Sequence, residues 1–189
     1  MASRTRTQYA SAGGIDIAYQ VLSEGAVDLL LYPGWTIPID CMDQEPSMAR
    51  FQRRLASFGR LIRFDPRGMG LSDRGSASDP PTPEQWANDG LAVLDAVGSE
   101  QAVVLAPYGH SLAGITLAAM YPERISSLAT INGTARCRWA PDYPAGIPDE
   151  FLDTTNRDGS AADAVERGFD ILSILGPSVA DDPEFRAWW

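Results

Sequence analysis

The sequence predicts an α/β fold built on a doubly wound, mostly parallel sheet, and three observations carry that prediction. Apolar strand-like runs alternate with amphipathic helical patterns between residues 27 and 131, which implies right-handed parallel crossovers. A hairpin pattern stands ahead of them. The third observation is the stretch Gln101 to Glu123, QAVVLAPYGHSLAGITLAAMYPE. It passes from a β-branched run, Ala102 to Leu105, through Gly109-His110-Ser111-Leu112-Ala113-Gly114 into a helix stopped at Tyr121 before Pro122. A strand that turns this sharply through small residues lifts one side chain above the sheet, beside the first N–H groups of the helix.

In order along the chain, Thr5 to Ala12 and Ile15 to Leu22 flank Gly13-Gly14, a two-residue turn signal for an antiparallel hairpin. Val27 to Tyr32 is a buried-strand run ending in Pro33-Gly34-Trp35. Met48 to Phe58 reads as an amphipathic helix closed by Gly59. Phe51, Leu55 and Phe58 form its apolar side, and Arg50, Arg53 and Arg54 its polar side. Leu61 to Phe64 is the next strand. Thr82-Pro83-Glu84-Gln85 has the cap, proline and acid that start a helix, which runs to Val97 and stops at Gly98. After the central turn, Ile125 to Ile131 is a further strand, closed by Asn132-Gly133. From Arg136 the rhythm changes: Pro141, Pro144, Gly146 and Pro148 break up the chain, and two short helical patterns follow, Asp149 to Thr155 and Ala161 to Leu175. The expected organisation is a core over residues 1–135, with six strands, and a helical cap over residues 136–189.

Composition narrows the function classes. The chain of 189 residues suits one domain with a substantial core. All 15 basic residues are Arg, a pattern expected of a GC-rich bacterial genome, and the net charge of −10 argues against nucleic acid or an anionic membrane as partner. Cys41 and Cys137 lack metal-ligand spacing and are expected to be buried thiols in a reducing cytoplasm. Neither a metal nor a cofactor is expected. The N-terminus has no apolar signal core and no run reaches membrane-spanning length, so a cytoplasmic location is expected.

Further motifs accompany the central turn. Tyr32-Pro33-Gly34-Trp35 ends a strand, Asp65-Pro66-Arg67-Gly68-Met69-Gly70-Leu71-Ser72 forms a loop expected to contain an internal Asp–Arg pair, and Tyr121-Pro122-Glu123-Arg124-Ile125 leaves the helix. In this order they resemble the α/β-hydrolase superfamily, whose nucleophile elbow is the strand–turn–helix unit. Residues 142–189, with Asp142-Tyr143-Pro144, Ala180-Asp181-Asp182-Pro183 and Trp188-Trp189, resemble the cap of bacterial hydrolase-like domains fused to adenylate/guanylate cyclase or regulatory domains.

The elbow has two possible frames. Gly109-x-Ser111-x-Ala113 is the literal motif and favours Ser111 as nucleophile, with Leu112 joining Gly34 and Trp35 in the oxyanion hole that the resemblance implies. A gapless count from Gly98 and from Tyr121 instead puts Tyr108 at the nucleophile position, with Gly109 as the oxyanion donor. A phenol is a weak acyl-transfer nucleophile at neutral pH, so that frame suggests a domain that no longer hydrolyses. Serine acyl transfer also needs a His base oriented by an acid. The sole histidine, His110, adjoins Ser111 and is directed elsewhere by the turn. In the superfamily the acid and the His follow later strands, so the resemblance implies the first part of a hydrolase domain. Two functions follow as expectations. One is an esterase-like hydrolase of small apolar substrates, inactive as this truncated chain. The other is a non-catalytic ligand-binding or regulatory module associated with a nucleotide cyclase. Either would bind a small apolar molecule. The exposed sheet edge implies a homo-oligomer or a chain completing the sheet.

Overall fold

The computed structural model describes residues 5–34, 37–75, 80–148, 172–173 and 176–189. The helical patterns expected at Asp149 to Thr155 and across most of Ala161 to Leu175 lie outside the described residues. The chain divides into two compact units, Met1–Ala135 and Arg136–Trp189.

The first unit is a six-stranded sheet flanked by helices. Its strands are β1 (Gln8–Ala12), β2 (Ile15–Val21), β3 (Asp28–Leu31), β4 (Arg60–Phe64), β5 (Ala102–Pro107) and β6 (Ile125–Ile131), and its helices are α1 (Pro46–Ala56), α2 (Pro83–Ala96) and α3 (Ser111–Met120). The spatial order is β1-β2-β4-β3-β5-β6. β1/β2 and β2/β4 are antiparallel, whereas β4/β3, β3/β5 and β5/β6 are parallel. Gly13 (φ 64°) and Gly14 (φ 86°) turn the hairpin, in a backbone region closed to most side chains. Each connection between successive parallel strands contains a helix: β3–α1–β4, β4–α2–β5 (which crosses over β3) and β5–α3–β6.

The chain passes from β3 to β4 on one side and later returns to place β5 on the other side of β3. The carboxyl ends of β3 and β5 therefore sit side by side where the winding reverses. Open α/β sheets bind their ligands at such a switch point.

The core lies between the sheet and the α2–α3 layer. Ile62 and Phe64 of β4, Leu30 and Tyr32 at β3, and Val104 and Ala106 of β5 meet Ala87, Val93, Leu94, Ala113 and Leu117. Gly114 lets α3 sit directly on β5, since a Cβ there would lie 2.5 Å from that of Ala106. α2 starts at the cap expected at Thr82, which forms a full capping box, Thr82 and Gln85 each bonding the other's backbone N–H.

α1 covers the opposite face of β4, and its register differs from the expected one. Ala49 and Gln52 point inward, while Phe51 and Phe58 are exposed. The cause is Arg63 of β4, which is buried and needs acceptors. Its guanidinium donates to Gln20 Oε1 (2.9 and 2.6 Å), Gln52 Oε1 (2.5 Å) and both carboxylate oxygens of Asp43 (3.1 and 2.7 Å). An unpaired buried guanidinium would cost several kcal/mol, more than the outward exposure of one phenylalanine. The polar side chain therefore wins the inward position.

The second unit holds two short backbone bridges, Arg138 with Ile147 and Ala140 with Tyr143. Its helix α4 (Pro183–Trp188) is capped by the Asp182 carboxylate, and Phe185 packs against Trp188 and Trp189. Cys41 is half-buried and Cys137 exposed, so the expectation of two buried thiols does not hold. No helix among the described residues is long and apolar enough to cross a membrane.

Candidate functional site at the strand-to-helix corner

The corner falls at Tyr108. β5 ends at Pro107 in an extended conformation (φ −84°, ψ 155°), and Tyr108 then takes φ 52° before a short 3-10 turn, Tyr108–His110, opens α3. Tyr108 and Asn132 are the only non-glycine residues with positive φ among the described residues. Asparagine tolerates that region through its short polar side chain, whereas a bulky aromatic in it is an outlier.

Ser111 is helical (φ −56°, ψ −35°) and fully buried, so the corner expected there is displaced by three residues. Its hydroxyl donates to the Thr134 carbonyl (3.0 Å) and accepts from the Thr134 N–H (2.9 Å). Both functions of that hydroxyl are thus spent on the segment leaving β6. The literal Gly-x-Ser-x-Ala pattern misled because small residues serve a close helix–strand approach at Gly114 as well as they would serve a turn at Ser111.

Gly34, at the end of β3, faces the corner. A Cβ on it would stand 3.6 Å from Cδ2 and Cε2 of the Tyr108 ring and 3.7 Å from Pro107 Cγ. Gly109 is exposed, with open space where a Cβ would point. Its N–H belongs to the first turn, which has no helical acceptor. Leu112 is half-buried within α3. Trp35 lies outside the described residues. The structure thus brings Tyr108, Gly109 and Gly34 together and sets Ser111 behind them.

His110 joins the two sides of this corner, a role that nothing in the sequence signalled. Its Nδ1–H donates to the Pro33 carbonyl at 2.7 Å, which ties the start of α3 to the end of β3. The residue is 5% exposed, with Tyr32 at 6.0 Å and Trp86 at 5.3 Å between ring centroids, and Nε2 has no hydrogen-bond partner among the described residues. Burial holds its pKa below the ordinary histidine value, opposed by the bond to Pro33. Neutral and held by Pro33, the ring serves as a brace and is not turned toward Ser111. Tyr32 donates its hydroxyl to the Trp86 carbonyl at 3.1 Å, and burial pushes its pKa upward, helped by the Asp89 charge.

The Asp65 to Asp73 loop supports the site without the expected internal Asp–Arg pair. Arg67 instead reaches α2. Its guanidinium meets the fully buried Asp89 carboxylate at 2.7 Å, and its backbone N–H donates to the same group at 2.9 Å. Asp65 accepts from the N–H groups of Ile39 (3.1 Å) and Leu71 (2.9 Å), joining the loop after β3 to the loop after β4. Burial, first, and the Asp40 charge push its pKa up to about 6, against those two bonds and Arg63. Asp73 accepts from the Asp16 N–H at 2.8 Å and Asn132 closes β6 with φ 49°, so both are structural. No group of His, Cys, Asp or Glu among the described residues could hold a metal.

The chain superposes on solved hydrolases. The structure of Est816, described as an N-acyl homoserine lactone degrading enzyme, superposes with a TM-score of 0.69 at 21% identity, covering 95% of this chain and 62% of that one. The chain has the α/β-hydrolase fold. An epoxide hydrolase mutant of Vigna radiata superposes with a TM-score of 0.59 at 21% identity, over 74% of this chain and 42% of that one. Among curated proteins, the "Putative carbamate hydrolase RutD" of Azorhizobium caulinodans is 35% identical over 132 residues, 68% of this chain and 45% of its own length. The RutD protein of Caulobacter sp. (strain K31) is 35% identical over 82 residues, 43% of this chain and 30% of its own length. The chain therefore spans less than half of these curated relatives. No protein-family profile matches it.

Proposed function

We propose that this α/β-hydrolase-fold chain binds a small, largely apolar molecule at the switch point beside Tyr108, without acyl transfer through a serine. The observation that carries this reading is Tyr108 at φ 52°, at the strand-to-helix corner after β5. A bulky residue in that conformation costs about 1–3 kcal/mol, and strain of this kind gathers at binding and catalytic sites. Its aromatic ring lies beside Gly34, and an aromatic face suits binding of an apolar molecule better than a phenol suits nucleophilic attack. The unit Arg136–Trp189 would serve as the cap. Its resemblance to cyclase-associated domains supports a regulatory role for the bound molecule.

A second reading is an esterase-like hydrolase, supported by the 35% identity to the Azorhizobium caulinodans RutD protein. One experiment separates the two. The purified chain is assayed for 4-nitrophenyl butyrate turnover and, by NMR line broadening, for binding of the same ester. Binding without turnover is expected, weakened by Tyr108→Ala and unaffected by Ser111→Ala. Turnover abolished by Ser111→Ala would refute the proposal. Turnover that survives Ser111→Ala but not Tyr108→Phe would establish the hydrolase reading with the phenol as a participant.

A further inference from the structure

The outer face of α1 runs against both the charge of the protein and the pattern of its own sequence. Phe51 is 41% exposed and Phe58, just past the helix, 59%. Val27, 46% exposed, lies against Gly59 and so continues the same surface. Arg50, Arg53 and Arg54 are exposed among them. Among the described residues none of the three forms an ion pair, whereas Arg60, Arg63, Arg67, Arg124 and Arg136 all do. Spacings of three and four residues keep Arg50, Arg53, Arg54 and Phe51 on one face. Arg54 connects it to Phe58, its guanidinium 4.8 Å from the ring centroid.

Part of this has a local cause. Arg53 and Arg54 lie in the last helical turn, where the helix dipole favours cations. That accounts for neither Arg50 nor the exposed phenylalanines. Like charges three and four residues apart oppose helix formation by a few tenths of a kcal/mol per pair, and no acid on α1 relieves them. The result is a cluster of three cations that meet no carboxylate among the described residues, with three exposed apolar side chains, on a chain of net charge −10.

We propose that this face of α1 docks a short acidic segment of a partner protein carrying an apolar side chain. Carboxylates would pair with the guanidinium groups, in the bidentate geometry that arginine favours, while the apolar side chain covers Phe51 and Phe58. Charge selects a short segment over a membrane. An extended anionic surface would face the whole acidic molecule and be repelled, whereas a segment of a few carboxylates meets only the basic patch.

The test uses the full chain and a fluorescent synthetic peptide, acetyl-EDFEDLE-amide, titrated by anisotropy. Saturable binding is expected, weakening with added salt and falling about tenfold in the combined Arg50→Gln, Arg53→Gln, Arg54→Gln variant. Glutamine keeps helix propensity, so circular dichroism should show the variant folded. Phe51→Ser should weaken binding while leaving the charge unchanged. Absence of saturable binding, binding indifferent to the triple replacement, or stronger binding to phosphatidylserine vesicles than to the peptide would overturn the proposal.

Discussion

Replacing Tyr108 with glycine should leave the protein more stable than replacing it with alanine. Both changes remove the ring that lies beside Gly34, so the comparison isolates the backbone. At φ 52° an L-residue carries about 1–2 kcal/mol of left-handed strain that glycine lacks. Glycine gives back roughly 0.5–1 kcal/mol through the greater freedom of its unfolded chain. The glycine variant should therefore lead by about 0.5–1 kcal/mol, whereas at an ordinary position it would trail by a similar amount. In urea unfolding, with a slope of about 2 kcal/mol/M, the lead is a midpoint difference of roughly 0.3–0.5 M. Tyr108→Asn should fall between the two, because asparagine tolerates the region better than alanine. An alanine variant as stable as the glycine variant, or more so, would refute the placement of the corner.

Two further outcomes follow from the buried charges. Asp89→Ala should cost about 3–5 kcal/mol in the same urea assay, since it leaves Arg67 without its carboxylate, and Arg67→Met with Asp89→Leu together should recover much of that loss. Asp65 sets a pH dependence: its folded pKa of about 6 lies above the ordinary value of about 3.9, so the folded state holds the proton more tightly. Its contribution to stability is fully present below pH ~4 and lost as pH rises through about 6, up to about 3 kcal/mol in all. Urea midpoints across that range should show this falling component in the native chain and lack it in Asp65→Asn. His110 acts in the opposite direction, because a depressed pKa removes stability as pH falls.

The parts of the fold legible in the sequence were those fixed by neighbouring residues. The Gly13-Gly14 hairpin, the Thr82 helix cap and the β-branched run of β5 each depend on a few adjacent positions, and each is present. What the sequence did not show depends on partners far along the chain. The inward turn of Gln52 follows from Arg63, and Arg67 passes over Asp65 for Asp89, 22 residues away. At the corner, local and spatial signals conflicted: the small residues favoured Ser111, but the distances to Gly98 and Tyr121 favoured Tyr108, where the positive φ lies. His110 gave no warning of its role, because its acceptor is a backbone carbonyl 77 residues earlier.

The buried Arg63 imposes a coincidence requirement on assembly. A guanidinium does not shed its proton on burial, so it can leave water only when its acceptors are already in position. Those acceptors come from β2, the segment before α1, and α1 itself, as much as 43 residues from Arg63 along the chain. With any one missing, sealing that face of β4 strands a charge in the interior. The antiparallel β2–β4 seam and the seating of α1 are thereby made to close together. A single side chain works as a three-input lock on half of the sheet.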